Sequence, residues 1–158
     1  APAIGGSEYT LDAIEELGGW IGTEVSMQTT DAPAGKQWLA AKGVDAAGSA
    51  VFACGFRPAN LSSFADGKLE LWVYIEDISK LTGGQIELTS SGDPDQEETS
   101  WNVFDYVTQN GWTKLSLPLS EANAVGGGAD LSRICYMRIY FTLTEKALVG
   151  IDEIKLVK

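Results

Sequence analysis

The sequence contains no histidine and only two cysteines. Histidine is the usual general base and the commonest zinc ligand, so its absence excludes Ser-His and Cys-His nucleophile arrangements. Any enzymatic chemistry would have to depend on carboxylates. Cys54 and Cys135 match no metal-ligand spacing, and both lie in apolar, strand-like segments. We therefore expect two buried thiols, with a disulfide between them as the alternative.

The chain also lacks long apolar runs and clusters of positive charge. No apolar segment approaches the roughly 20 residues that a membrane-spanning helix needs. The formal net charge is -11, and the few basic residues are scattered, so the chain would repel polyanions. We expect neither a membrane nor a nucleic acid as a partner. Residues 1–6 have no signal-peptide features, so either a signal was removed or the domain belongs to a larger protein.

The 158 residues suffice for one domain with one hydrophobic core. We predict that residues 9–158 form this domain and that residues 1–8 are a linker or a remnant outside it. Short segments rich in β-branched and aromatic residues, bounded by Gly, Pro, Asp or Asn, predict strands. These segments are 50–56, 68–75, 85–89, 101–107, 113–117, 134–142 and 148–157, with residues 11–17 as a first strand. The pattern predicts an all-β sandwich or barrel.

Three of these strands alternate aliphatic side chains with polar or aromatic ones. Successive side chains of a strand point to opposite faces, so the polar and aromatic residues of each strand share one face. If the three strands lie in one sheet, its outer face carries Glu70, Trp72, Tyr74, Gln85, Glu87, Tyr136, Arg138 and Tyr140, and the core takes Cys135, Met137, Ile139 and Phe141. Pyranose rings stack on aromatic side chains, while carboxylate, amide and guanidinium groups replace the water at sugar hydroxyls. The alternation therefore predicts a carbohydrate-binding face.

Two tryptophans and one acidic segment complete this interpretation. Trp101 begins a predicted strand and is expected to flank the same groove. Trp112 follows a turn and precedes an alternating strand, which favours an edge-packing, structural role. The acidic residues 93–98 lack the spacing of an EF-hand loop and are predicted to form an exposed loop near the binding face.

Six short motifs follow one another between residues 69 and 154. They are Leu69-Glu70-Leu71-Trp72-Val73-Tyr74-Ile75-Glu76-Asp77, Gly84-Gln85-Ile86-Glu87-Leu88-Thr89-Ser90-Ser91-Gly92, Asn110-Gly111-Trp112, Asp130-Leu131-Ser132-Arg133-Ile134, Met137-Arg138-Ile139-Tyr140 and Gly150-Ile151-Asp152-Glu153-Ile154. Their order resembles the jelly-roll carbohydrate-binding modules attached to bacterial glycoside hydrolases. The closing motifs are similar to those of the superfamily that includes module families 4, 11 and 22. The resemblance runs from about residue 9 to the end of the chain.

This resemblance implies an antiparallel jelly-roll β-sandwich of two sheets, one with a concave outer face that binds ligand. It also implies a secreted, monomeric, non-catalytic module that holds a neutral β-linked polysaccharide, with a plant cell-wall β-glucan or xyloglucan favoured. Such a module would be covalently linked to a glycoside hydrolase, or to other modules, and would target the hydrolase to the polysaccharide.

The resemblance further implies a structural calcium ion between the first strand, a loop and the final strand. Glu15 and Asp152 correspond to its two carboxylate ligands, and a carbonyl near Lys36 to a third ligand. The first strand offers Asp12 and Glu16 as well as Glu15, so its register stays open. A solvated, acidic strand end without an ion is the alternative.

Two other classes of function stay open. A small jelly-roll glycosidase could use Glu70 and Glu87 as a pair of carboxyl groups on neighbouring strands. Against this, the Glu-x-Asp-x-x-Glu strand of the jelly-roll laminarinases and lichenases is absent. The third class is a protein-interaction or adhesion β-sandwich, which shares the fold and differs only in what its aromatic face contacts.

Overall fold

The computed structural model describes residues 1–158 and consists of twelve strands joined by loops and short 3₁₀ turns. The strands are β1 (Glu8–Asp12), β2 (Ile21–Gly22), β3 (Val25–Gln28), β4 (Trp38–Ala41), β5 (Ser49–Ala59), β6 (Lys68–Ile75), β7 (Leu81–Thr89), β8 (Glu98–Asn102), β9 (Gly111–Pro118), β10 (Asn123–Val125), β11 (Ile134–Leu143) and β12 (Val149–Val157). None of its helical segments has the length and apolarity needed to cross a membrane.

The strands form two six-stranded sheets. Sheet A has the order β3-β4-β12-β6-β9, and β1 also pairs with β12; sheet B has the order β10-β8-β7-β11-β5-β2. Neighbouring strands are antiparallel in both sheets. The predicted all-β, antiparallel jelly-roll sandwich of two sheets is therefore confirmed.

The hydrophobic core lies between the sheets and follows the alternation of the strands. In β6, Leu69, Leu71, Val73 and Ile75 are fully buried, and each residue between them is half-buried on the other side. Sheet B contributes the facing side chains, among them Phe141 of β11. Each fully buried aliphatic side chain stabilises the fold by about 1.5–3 kcal/mol relative to its exposed state.

Several predicted strand bounds differ from the structure, and in two of these segments the chain turns where a strand is predicted. The segment 101–107 was expected to be one strand, but β8 begins at Glu98 and ends at Asn102, because Val103–Asp105 turns into a 3₁₀ helix. Residues 11–17 were expected to form the first strand, but β1 ends at Asp12. The Asp12 carboxylate accepts a hydrogen bond from the Ile14 N–H, and Ile14 has a φ of 54°, so the chain turns there.

The two cysteines are free thiols, which excludes the predicted alternative of a bridge. Cys54 is buried in the core, and this burial raises the pKa of its thiol. Cys135 is only half-buried, and its predicted place in the core is wrong. The pairing of β11 with β5 shifts register between Ile134 and Tyr136, so the residue between them leaves the alternation.

Residues 1–8 lie against the sandwich. The Ile4 N–H donates to the Asn60 carbonyl at 3.1 Å, and the Ser63 hydroxyl donates to the Ile4 carbonyl. Glu8 begins β1. The expectation that this segment is a linker stays a prediction.

Candidate functional site

The predicted binding residues lie on two faces of the sandwich. Strand β6 belongs to sheet A, whereas β7 and β11 are neighbours in sheet B, so the prediction that the three strands share one sheet is wrong. The outer face of sheet A, called face A below, carries Glu70, Trp72 and Tyr74. The outer face of sheet B, called face B below, carries Gln85, Glu87, Tyr136, Arg138 and Tyr140. Alternation shows which residues of a strand share a face, but it does not show which sheet the strand joins.

This separation also removes the carboxyl pair on which the alternative of a small glycosidase depends. Glu70 and Glu87 point outward from different sheets, so they cannot flank the same glycosidic bond. Glu70 instead lies 3.7 Å from the Lys114 ammonium on face A.

Arg138 lies at the centre of face B and is held by two neighbours. It lies directly across from Glu87 in the ladder, and its Nε and Nη2 atoms donate to the two carboxylate oxygens of Glu87. Its guanidinium also lies over the Tyr140 ring, 5.0 Å from the ring centroid. The Arg138 side chain keeps 25% of its surface exposed. Its orientation is therefore set before any ligand arrives, and its remaining donors face solvent.

Glu87 is fully buried, and its pKa is set by this burial and by two neighbouring charged groups. Burial raises the pKa of Glu87 to about 7, the hydrogen bond from Arg138 opposes this shift, and the nearby Glu98 adds to it. Glu87 thus supports Arg138 and has no exposed surface for a sugar to contact.

The aromatic side chains of β11 have ladder partners on both neighbouring strands. On the β5 side, Tyr136 faces Gly55 and Tyr140 faces Val51. On the β7 side, Tyr140 faces Gln85, whose side-chain amide lies 3.4 Å from the Asn102 oxygen. Burial raises the pKa of both tyrosines, so both hydroxyls stay protonated donors at neutral pH. Face B therefore presents half-buried aromatic rings beside guanidinium, amide and hydroxyl groups.

Trp101 does not reach either outer face. It points into the core with 1% of its surface exposed, and its indole N–H donates to the Pro118 carbonyl at 2.9 Å. Its neighbours on β8, Ser100 and Asn102, point outward instead. The prediction that Trp101 flanks the groove is wrong, because the strand begins earlier than expected and the parity at this position is inward.

Face A carries an aromatic cluster of Trp38, Tyr74 and Trp112. The ring centroids are 5.1 Å apart for Trp38 and Trp112, 5.3 Å for Tyr74 and Trp112, and 5.6 Å for Trp38 and Tyr74. The sequence analysis does not single out Trp38, which packs over Gly150 of β12: a Cβ at Gly150 would lie 2.5 Å from the Trp38 ring. Trp72 lies beside this cluster, with the Lys114 ammonium 5.9 Å from its ring centroid.

Glu15 and Asp152 both accept hydrogen bonds from the loop at residues 34–37, and the calcium site with a carbonyl near Lys36 stays a prediction. Glu15 accepts hydrogen bonds from the N–H groups of Lys36 and Gln37, at 2.7 and 2.8 Å. Asp152 is fully buried and accepts from Ala34 at 3.2 Å. Its burial raises the pKa of Asp152 to about 7, and the charge of Glu15 contributes to this shift.

The contacts show which acidic residue near the first strand faces the loop, a question that the sequence left open: it is Glu15. Asp12 is occupied by the Ile14 N–H and the Trp20 indole N–H, and Glu16 is exposed. A side chain at Gly35 would overlap the Glu15 carboxylate, so the loop approaches this carboxylate closely because residue 35 is glycine. Two carboxylates beside such a loop fit a hard, oxygen-preferring ion such as calcium.

The acidic segment 93–98 is only partly the exposed loop that the sequence predicts. Glu98 is fully buried on face B, and its Oε1 atom accepts a hydrogen bond from the Asp95 N–H at 3.0 Å. Glu98 was misjudged because it belongs to β8, not to the loop.

The fold is that of the β-sandwich carbohydrate-binding modules. The family 11 module from Clostridium thermocellum, solved in complex with a β-1,3-1,4-mixed-linked tetrasaccharide, superposes with a TM-score of 0.71 and 14% identity over 96% of this chain and 95% of that one. The family 30 module of the Clostridium thermocellum cellulosomal cellulase Cel9D-Cel44B has a TM-score of 0.67 and 16% identity over 96% and 90%. A further family 11 module, from the cellulosomal cellulase Lic26A-Cel5E, has a TM-score of 0.69 and 15% identity over 99% and 96%.

No family model matches the chain, and no curated protein matches it in sequence. At these identities the solved structures establish the fold, and the binding properties must be argued from the residues of this chain.

Proposed function

We propose that this chain is a non-catalytic carbohydrate-binding module that holds a neutral β-linked polysaccharide on face B. The observation that carries the proposal is the Glu87-Arg138-Tyr140 arrangement, in which a buried carboxylate holds a guanidinium against an aromatic ring. A sugar ring can stack on the half-buried tyrosines while the free donors of Arg138 and the amide of Gln85 bind its hydroxyls. Gly55 and Ala53 of β5, which lie opposite Tyr136 and Arg138, are small residues that would let further sugar units extend across β5.

The charge of the molecule favours a neutral ligand. A formal net charge of -11 repels uronates and sulfated chains, and face B carries acidic groups as well as Arg138. Among neutral polymers, a plant cell-wall β-glucan or xyloglucan is favoured. The mixed-linked tetrasaccharide bound to the family 11 neighbour supports a β-glucan.

The context of the neighbours supports a targeting role. Two of them are modules of cellulosomal cellulases. By analogy, this chain would be a secreted, monomeric module that is linked to a glycoside hydrolase and brings it to its substrate. Glu15 and Asp152 would hold a structural calcium ion that ties the loop at Gly35 to β12, and the ion would have no part in sugar binding.

Calorimetry with barley β-glucan and with xyloglucan tests the assignment of the face. Tyr140→Ala should weaken binding by about 1.4 kcal/mol or more, which is tenfold, because the stacking surface is lost. The matched control is Trp72→Ala, which removes the aromatic ring beneath a cation on face A. The control should bind as the parent does.

The opposite result, with Trp72→Ala weakened and Tyr140→Ala unchanged, would move the site to face A. If the chain binds neither polymer and no other neutral glycan on an array, the proposal of a carbohydrate ligand is wrong. Release of reducing sugars from either polymer by the purified chain would contradict the non-catalytic assignment.

A further inference from the structure

Three carboxylates meet beside Arg138 on face B. Glu87, Asp95 and Glu98 each place a carboxylate oxygen within 4.8 Å of the others. Glu87 and Glu98 are fully buried, whereas Asp95 is exposed. Exposed carboxylates are stabilised by water and need no cation. Two of these carboxylates are buried, however, and a buried charge is costly unless a positive group or hydrogen bonds compensate it.

Unpartnered oxygen atoms lie on the same part of β7 and β8. Glu98 Oε2, Thr89 Oγ1 and Ser100 Oγ are buried and have no hydrogen-bond partner. The ladder places Glu87 directly opposite Ser100, and Thr89 directly opposite Glu98. These four side chains therefore form one block on the outer face of β7 and β8. Buried oxygen atoms are almost always satisfied, so the two unpartnered hydroxyls are a second observation, independent of the carboxylates, that favours a ligand at this block.

The charges at this block do not balance. Arg138 is paired with Glu87, and it is the cation that contacts the cluster. The nearby Arg133 is engaged by Glu97 and Asp130. When all three carboxylates are ionised, they exceed the single guanidinium by two negative charges, which a divalent cation would neutralise and water would not. Without an ion, burial and the neighbouring Glu98 raise the pKa of Glu87 to about 7, so a proton takes up part of this excess.

The loop before β8 is shaped to complete this block. Asp95 has a φ of 65°, and its N–H donates to Glu98 Oε1 while its side chain joins the cluster. A Cβ at Gly126, the residue directly after β10, would lie 2.5 Å from the Asp95 carbonyl, so the close packing of the loop at this position depends on the glycine. The loop thus brings the third carboxylate over the outer face of β8.

From this geometry we propose that Glu87, Asp95 and Glu98, with the hydroxyls of Thr89 and Ser100, bind a calcium ion on face B. All five donors are hard oxygen atoms, which calcium accepts in numbers of about six to eight with water completing the shell. Protein zinc sites commonly combine carboxylates with histidine or cysteine, and the cluster has neither. This ion would be separate from the one proposed at Glu15 and Asp152, which lies beside sheet A.

An ion at this position would link the loop to the proposed sugar-binding face. It would hold Glu87 from one side while Arg138 holds it from the other, and it would tie Asp95 to the strands. Glu87 is then a positioning residue that joins the ion to the guanidinium.

Calcium titration by calorimetry after treatment with a chelator tests the proposal, without any sugar present. The Glu15→Gln variant removes a carboxylate of the other candidate site, so that calcium binding at face B can be measured alone. This variant should still bind one calcium ion. Adding Glu98→Gln should weaken that binding by at least about tenfold, whereas the matched control Glu97→Gln, one residue away and paired with Arg133, should not.

A second variant and a second readout separate loss of the ion from loss of the fold. Ser100→Ala removes one uncharged ligand and should lower calcium affinity severalfold. Without calcium, Glu98→Gln should melt at or above the temperature of the parent, because it removes a buried charge, and calcium should no longer raise its melting temperature.

If Glu15→Gln binds no calcium, or if its binding survives Glu98→Gln, a proton or water occupies the cluster and the proposal is wrong. Because no glycan enters these measurements, a failure here is independent of the assignment of face B to carbohydrate.

Discussion

The arginine at the centre of face B is the residue on which the proposed function depends most directly. Arg138→Lys keeps the charge but loses the planar fork that engages both oxygens of Glu87. We expect this variant to fold and to bind the preferred glycan at least about tenfold more weakly, as measured by calorimetry. Unchanged affinity would show that Arg138 does not contact the sugar.

Removing the guanidinium altogether should have a different effect. Arg138→Ala leaves the fully buried Glu87 without its cation, and breaking such a pair costs about 3 kcal/mol of folding free energy. We expect a large decrease in the free energy of unfolding in urea at pH 7. Glu70→Ala, which removes one partner of a more exposed pair on face A, is the control and should change stability by less than about 1 kcal/mol.

The two thiols should differ in reactivity because they differ in burial. Cys54 is buried and its pKa is raised, whereas Cys135 is half-buried. A thiol reagent should therefore modify Cys135 first in the native protein, and Cys54 only on unfolding, because the thiolate is the reactive form. Mass spectrometry of peptides after timed labelling would identify the site. Faster labelling of Cys54 would contradict the packing of β5.

At the scale of elements, the contact between β12 and β4 depends on a residue without a side chain. Trp38 crosses over Gly150, and a Cβ at that position would lie 2.5 Å from its ring. Gly150→Ala should lower the free energy of unfolding by about 1–3 kcal/mol, as overpacked positions do. Gly5→Ala is the control, since nothing lies within 4 Å of its Cβ.

Strands β6, β7 and β11 show what the alternation of side chains can and cannot predict. The alternation of β6 correctly separates its four core residues from Glu70, Trp72 and Tyr74. The alternation of β7 and β11 also correctly turns Gln85, Arg138 and Tyr140 away from the core. The prediction that all three strands lie in one sheet is wrong. Strands of both sheets bury one side and turn the other to solvent, so their sequences carry the same period.

The shortest strands could not have been predicted from a periodic signal. β2 has two residues and β10 has three, and neither is long enough to show alternation. β4, with the sequence Trp-Leu-Ala-Ala, is rich in alanine, which is depleted in strands. Their pairing is imposed by longer neighbours, chiefly β5, β8 and β12.

For the molecule as a whole, the two proposed ions make stability depend on calcium. Each would bind the native state alone, so a chelator should lower the melting temperature while the far-ultraviolet circular dichroism keeps its β-rich form. Glu15→Gln and Glu98→Gln should each remove part of this response, and the double variant should remove all of it. An equal melting temperature with and without chelator, together with no calcium by elemental analysis, would reject both sites.

The sequence by itself determined the class of fold, the parity of the long strands and the side chains suited to sugar, because these follow from local composition and a period of two residues. Only the tertiary structure decided which strands are neighbours. It separated Trp72 and Tyr74 from Arg138 and Tyr140, turned Trp101 into the core and buried Glu98 beside Glu87. These outcomes depend on hydrogen bonds between strands far apart in the chain, and a local pattern contains no information about which distant strand will be the partner.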